Sequence, residues 1–198
     1  MTGMRIEIVV FDGFDEMDAI APYEVLRTAA ALGAPIEAEL VGAHGAATVT
    51  ASHGLRLVVD RGPSEAPDVL LVPGGGWFHG AGVRDEIERG DLPRVMAAAH
   101  EAGSIVGSVC TGAMLLAAAG LVEGRRATTH HEAIEDLRGA GAEIVDGARF
   151  VDDGDIVSAG GVTSGLDLAL HLVERVAGQS IADQVAREIE YERRQSAV

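Results

Sequence analysis

Cysteine occurs once in this chain, at Cys110, and this scarcity is its most informative absence. A single thiol forbids any internal disulfide, which fits a reducing compartment. Basic residues are also few: 15 Lys and Arg stand against 31 Asp and Glu, for a formal net charge of −16. A domain that binds nucleic acid through its own surface needs a basic face. An anionic membrane surface attracts the same charges. Both partner classes are therefore excluded. No apolar run reaches the roughly 18 residues that a membrane span requires. The N-terminal stretch MTGMRIEI has no basic segment followed by an apolar one, so no secretory leader is expected. Together these absences point to a soluble cytoplasmic protein.

What is present is apolar and regular. Hydrophobic residues make up 47% of the 198, enough for one sizeable core. No repeat, low-complexity tail or linker divides the chain, so residues 1–198 are expected to form a single domain. The run RIEIVVF over 5–11 reads as a buried strand. A helix follows from about Asp18 to Leu32, with Pro22 in or near its first turn and Gly33 ending it. A second strand covers 36–41, and 48–59 reads as a small antiparallel excursion around Gly54. Residues 68–76 form a strand that ends in Gly74-Gly75-Gly76, and 104–109 form another. Residues 149–158 read as a hairpin turning at Asp153-Gly154. Further helices are expected over 92–102, 111–119, 131–138, 163–177 and 181–192. Strands alternating with helices imply an α/β fold, a mostly parallel sheet with helices on both faces.

Cys110 sits where the strand 104–109 turns directly into a helix rich in small residues. That placement is the logic of a nucleophile elbow with sulfur as the nucleophile. A helix N-terminus offers free N–H groups and a partial positive charge, which favour a thiolate and lower its pKa. The alternative is a packed cysteine acting as a small hydrophobe. Asp18 lies just beyond the C-terminal end of the first strand, the edge at which open α/β sheets bind ligands. There it serves either as a helix cap or as an acid. An ionised Asp18 beside a thiolate would raise both pKa values, so a protonated carboxyl acting as general acid is the favoured form. The backbone N–H groups of Gly75 and Gly76 can form an oxyanion hole or merely a turn. No GK[ST] follows them, so they are not a phosphate loop and no cofactor is implied. Trp77 and Phe78 either line an apolar pocket or pack on a neighbouring helix or second subunit. His130 either pairs with Cys110 or is a hydrogen-bonded structural residue. His130 and its neighbour His131 lack an HxxxH or cysteine partner, so no metal site is expected.

Four stretches carry a specific resemblance. They are VCTGAMLLAAAGLVEGRRATTHH at 109–131, the segment 15–26, VPGGG at 72–76 and SAGGVTSGLDLALHLVE at 158–174. In this order they resemble the ThiJ/PfpI superfamily, which is class I glutamine amidotransferase-like. Within it they look most like the isonitrile hydratase branch and the sensing domains of AraC-type regulators. The resemblance implies a flavodoxin-like three-layer sandwich and a homodimer. It implies Cys110 as nucleophile, Asp18 as its acidic partner, Thr111 as the residue after the nucleophile, and Gly75 and Gly76 at the oxyanion hole. The protease-like branch has histidine where Thr111 stands, which counts against peptidase activity. His131 replaces a tryptophan often found after the TTH motif. No helix-turn-helix follows Val198, so a regulator would be represented by its sensing domain alone.

The resemblance thus implies a small-molecule enzyme that hydrates an isonitrile to a formamide. Glyoxalase-like or deglycase-like chemistry on small dicarbonyls is an alternative, weakened by Thr111. A non-enzymatic thiol sensor or ligand-binding protein, related to the sensing domains of AraC-type regulators, is another.

Overall fold

The computed structural model describes residues 3–194. Met1 and Thr2, where the reading of the leader begins, and residues 195–198 lie outside them. In chain order the elements are β1 (Met4–Val10), α1 (Glu16–Ala31), β2 (Ile36–Gly42), β3 (Ala47–Thr50), β4 (Arg56–Val59), β5 (Val69–Val72), α2 (Val83–Arg89), α3 (Asp91–Glu101) and β6 (Ile105–Val109). A 3₁₀ turn (Cys110–Gly112) leads into α4 (Ala113–Ala118) and β7 (Arg126–Ala127). A second 3₁₀ turn (His131–Ala133) precedes α5 (Ile134–Gly139), β8 (Glu143–Ile144), β9 (Phe150–Asp152), β10 (Ile156–Ala159), α6 (Ser164–Ala177) and α7 (Gln179–Glu188).

Six strands form one sheet in the order β2-β1-β5-β6-β10-β9. Every neighbouring pair is parallel except β10 with β9. This is a flavodoxin-like α/β three-layer fold. The apolar runs show why: β5 and β10 are buried along their whole length, and β1 is buried from Ile6 onward. Strands covered on both faces are nearly continuous apolar runs, and the charge buried in β1, that of Glu7, is paired with Ser64 and Arg61. β2 is a rim of the sheet, and along it Glu37 and Glu39 are exposed between buried Ile36 and Ala38. β3 and β4 form a separate hairpin, while β7 and β8 pair in parallel. Helices α1, α6 and α7 pack on one another, as do α2, α3 and α4. Among the described residues no helix is long and apolar enough to cross a membrane.

Several boundaries differ from the sequence reading. α1 begins at Glu16, not Asp18, because the Asp15 side chain accepts from the Met17 N–H and caps the helix. Pro22 therefore falls in the second turn, where its missing N–H leaves the carbonyl four residues back, that of Asp18, without its helical donor. α2 was not foreseen; it is short, polar and follows a glycine-rich loop. α7 stops at Glu188 rather than at 192, and Glu190 then takes a left-handed φ of 51°.

Candidate active site

The order of strands brings the C-terminal ends of β1, β5 and β6 side by side. β1 leads to the turn before Asp18, β5 to the three glycines and β6 to Cys110. The crevice at this edge lies where the winding of the sheet reverses, the usual ligand position of doubly wound sheets.

Cys110 has a φ of 58°, a left-handed conformation that a non-glycine residue adopts only when its surroundings hold it there. Its backbone is held on both sides. The Cys110 N–H donates to the Gly160 carbonyl at 3.0 Å, and Thr129 Oγ1 donates to the Cys110 carbonyl at 2.7 Å. The elbow is therefore present, but the chain leaves it through a 3₁₀ turn, and α4 has only six residues. The helix is too short to govern the thiol. Burial and the facing Asp18 carboxylate push the thiol up to about 12, against the backbone N–H groups of Val162 and Thr111. The expectation of a lowered thiol pKa is thus overturned: desolvation outweighs the donors of one short turn.

Asp18 is almost wholly buried, at 1% exposure. Its Oδ2 accepts from the Gly74 N–H at 3.0 Å. Oδ1 has no hydrogen bond of ordinary geometry, yet the carboxyl lies close enough to the thiol that each shifts the other. Burial, with the charge of Asp15 added, raises the carboxyl well above its ordinary 3.8. Asp15 caps α1, so Asp18 has no capping task. The direction of both shifts favours the proton-holding form of the pair.

Only glycine fits at position 74, where a Cβ would stand 2.6 Å from Thr111 N and Oγ1 and 2.9 Å from Asp18 Oδ2. The next N–H, that of Gly75, donates to Thr111 Oγ1 at 3.0 Å. Of the two donors expected for an oxyanion hole, Gly75 is thus engaged within the protein. The Gly76 N–H has no partner among the described residues.

A cavity of about 240 Å³ is lined by Cys110, Thr111, Trp77, Phe78, His130 and Val162, with Gly75 and Gly76 at its wall. Trp77 and Phe78 are therefore brought to the thiol. His130 also faces this cavity, but no hydrogen bond joins it to Cys110 among the described residues. Its Nδ1 accepts from the Glu132 N–H at 3.4 Å. Burial, helped by His131, lowers its titration. Val162 and Thr129 escaped the sequence reading. A β-branched residue at a φ of 42° and a threonine acting through its hydroxyl have no local pattern that marks them.

Among the described residues, two clusters bring metal-ligating side chains together. His130, His131 and Glu132 bring ligand atoms within 4.8 Å of one another, as do Asp15, Glu16 and His53. In the second, Glu16 is already occupied by Ser52 Oγ and by the N–H groups of His53 and Leu55.

The DJ-1/PfpI family pattern matches residues 4–175 of this chain. The chain is similar to an isonitrile hydratase of Pseudomonas putida, 35% identical over 190 residues, covering 95% of this chain and 78% of that protein. It is also 32% identical over 149 residues to the HTH-type transcriptional regulator GbdR of Pseudomonas aeruginosa, covering 73% of this chain and 39% of the regulator. Among solved structures, a ThiJ/PfpI family protein from Pseudomonas syringae superposes with a TM-score of 0.85 at 28% identity. That match covers 98% of this chain and 78% of the other.

Proposed function

The chain belongs to the DJ-1/PfpI family, and on that premise we propose that it is a cysteine-dependent hydratase that converts an isonitrile to an N-substituted formamide. The observation that carries this reading is the pairing of a buried Asp18, whose proton-holding form is favoured, with Cys110, which lines a small, partly aromatic cavity. An isonitrile carbon must receive both a nucleophile and a proton, and this pair holds both. Asp18 gives its proton to the terminal carbon as Cys110 Sγ bonds to it. The thiol proton passes to the carboxyl, and a thioimidate R–N=CH–S–Cys results. Water then adds to the C=N carbon and the nitrogen takes a proton. The C–S bond breaks, the thiol is restored and R–NH–CHO leaves. His130 lines the cavity and burial favours its neutral form, so it can take the proton of the incoming water. The unpartnered Gly76 N–H is the donor left to face developing charge.

Three further points complete the reading. The substrate is a small molecule, the protein works as a homodimer, and it acts in the cytoplasm without a metal or cofactor. Dicarbonyl chemistry would need a base beside the sulfur, where this chain has Thr111, already hydrogen-bonded to Gly75. A thiol sensor needs a low-lying thiolate, and burial moves Cys110 the other way.

The test is formamide production by purified protein from small aryl and alkyl isonitriles, with intact-mass detection of an adduct one isonitrile heavier than the protein. Product from the wild type and none from Cys110→Ala supports the reading. No product from the wild type, or equal product from the variant, sinks it.

A further inference from the structure

The segment between Gly76 and Val83 carries Trp77 and Phe78 over the cavity, and its base is unusually rigid. The Val83 N–H donates to the Gly75 carbonyl at 2.9 Å, which closes the loop at its neck. Gly76, at a φ of 65°, would overlap the Ala81 carbonyl if it bore a Cβ. Gly82, at 141°, would bring a Cβ to 2.6 Å from the Gly75 carbonyl oxygen. Backbone lies directly on backbone there, so the neck cannot swing. The tip is different: a Cβ at Gly80 would meet nothing within 4 Å.

Trp77 stands beside the neck, and two residues outside the cavity hold it. Its Nε1–H donates to Asp136 Oδ2 of α5 at 2.8 Å, across 59 residues of sequence. The Arg84 guanidinium of α2 lies over the indole, 4.7 Å from the ring centroid, and Arg84 Nε donates to the Trp77 carbonyl. The indole is thus fixed at its edge, its face and its own backbone, and it forms part of the wall beside Cys110.

We propose that Asp136 and Arg84 are positioning residues that clamp Trp77 as the size-selecting wall of the Cys110 cavity. Together they set which substituents on an electrophilic substrate reach the thiol. Neither residue touches the reacting atoms. As a statement about isonitriles the proposal rests on the hydratase reading; as a statement about access to Cys110 it does not.

Trp77 is the only tryptophan in the chain, so fluorescence reads the clamp directly. Asp136→Ala and Arg84→Ala are compared with the wild type by acrylamide quenching. They are also compared by the rates at which iodoacetamide and a pyrene maleimide alkylate Cys110 at alkaline pH. Quenching is expected to rise in both variants. The maleimide-to-iodoacetamide rate ratio is expected to rise by about 3- to 10-fold, the range of one surface hydrogen bond or cation–π contact. Asp136→Asn keeps a carbonyl acceptor for the indole and is expected to stay near wild type, which a general loss of packing would not allow. In hydration assays the alanine variants should raise KM for small isonitriles while kcat stays within about 2-fold. Unchanged quenching together with an unchanged rate ratio in both variants overturns the clamp, even in a protein that hydrates isonitriles. If both rise while the wild type hydrates none, the clamp stands and the hydratase reading falls.

Discussion

The Gly75 N–H donates to Thr111 Oγ1 at 3.0 Å, tying the glycine turn after β5 to the residue that follows the cysteine. This bond fixes the two halves of the crevice relative to each other. Thr111→Val keeps the shape and removes the acceptor, leaving the Gly75 N–H unpaired in a partly buried place. The expected cost is about 1–3 kcal/mol of stability, with a lower kcat, read by thermal unfolding and turnover. Thr111→Ser keeps the hydroxyl and should recover most of both.

Asp18→Asn separates acid chemistry from charge. If the carboxyl is the proton donor, kcat falls by about 100-fold or more; unchanged turnover would remove that role. Stability moves the other way. The folded carboxyl titrates above its ordinary 3.8, so above that pH the unfolded chain releases a proton that the folded chain keeps. Wild-type stability therefore drops by about 1.4 kcal/mol for each pH unit between the two values. The asparagine variant lacks this slope, and urea unfolding across that pH range measures the difference.

Two glycine-to-alanine changes should have opposite signs. Gly74→Ala puts a methyl group against Thr111 and Asp18. It is expected to cost about 1–3 kcal/mol by overpacking and to abolish most turnover. At Gly139, the last residue of α5, a Cβ meets nothing within 4 Å. There alanine should stabilise by about 0.5–1 kcal/mol through helix propensity. Denaturant midpoints of the two variants decide the matter.

Glu16 clips α1 to the hairpin of β3 and β4. Burial opposes its ionised form, but the His53 ring at 2.7 Å and the N–H groups of His53 and Leu55 hold the carboxyl down to about 2. Its stabilisation is present above pH 4.5 and is lost as pH falls through about 2. His53 titrates above its ordinary 6.5 because of Glu16, so its share is present below 6.5 and fades as pH rises through the folded value. The clip is strongest between about pH 4.5 and 6.5. Glu16→Gln should lower Tm by about 2–4 °C in that window, and by less at pH 8. An equal drop at both would show that the ring's charge plays no part.

The parts of the molecule legible in the sequence are those whose signal is local. β1, β5, β6 and β10 announce themselves by apolar runs that only a doubly covered strand can hold, and the β9–β10 hairpin by Asp153-Gly154. The elbow at Cys110 follows from a strand meeting small residues without a loop. What escaped depends on partners far along the chain. The thiol is raised by its burial and then by Asp18, which faces it from another strand end. Gly75 is engaged because Thr111 lies beside it, 36 residues later in sequence. Helix α2 carries only one apolar pair at helical spacing, Val83 and Ile87, among seven largely polar residues, too short a pattern to mark a helix, and it follows the glycine-rich loop.

The exposed carboxylates on the outer strand also bear on how copies of this protein meet. β2 is the last strand of the sheet at this end, and an open strand edge is a template for another strand. Here the Gly42 N–H donates to the Arg61 carbonyl at 2.9 Å, and the Arg61 guanidinium pairs with Glu39 and with buried Glu7. Glu37 stands exposed beside that pair, on a chain with a formal charge of −16. A strand added there would have to displace Arg61 and accept an exposed carboxylate alongside, so the chain disfavours growth of its sheet across molecules at this end.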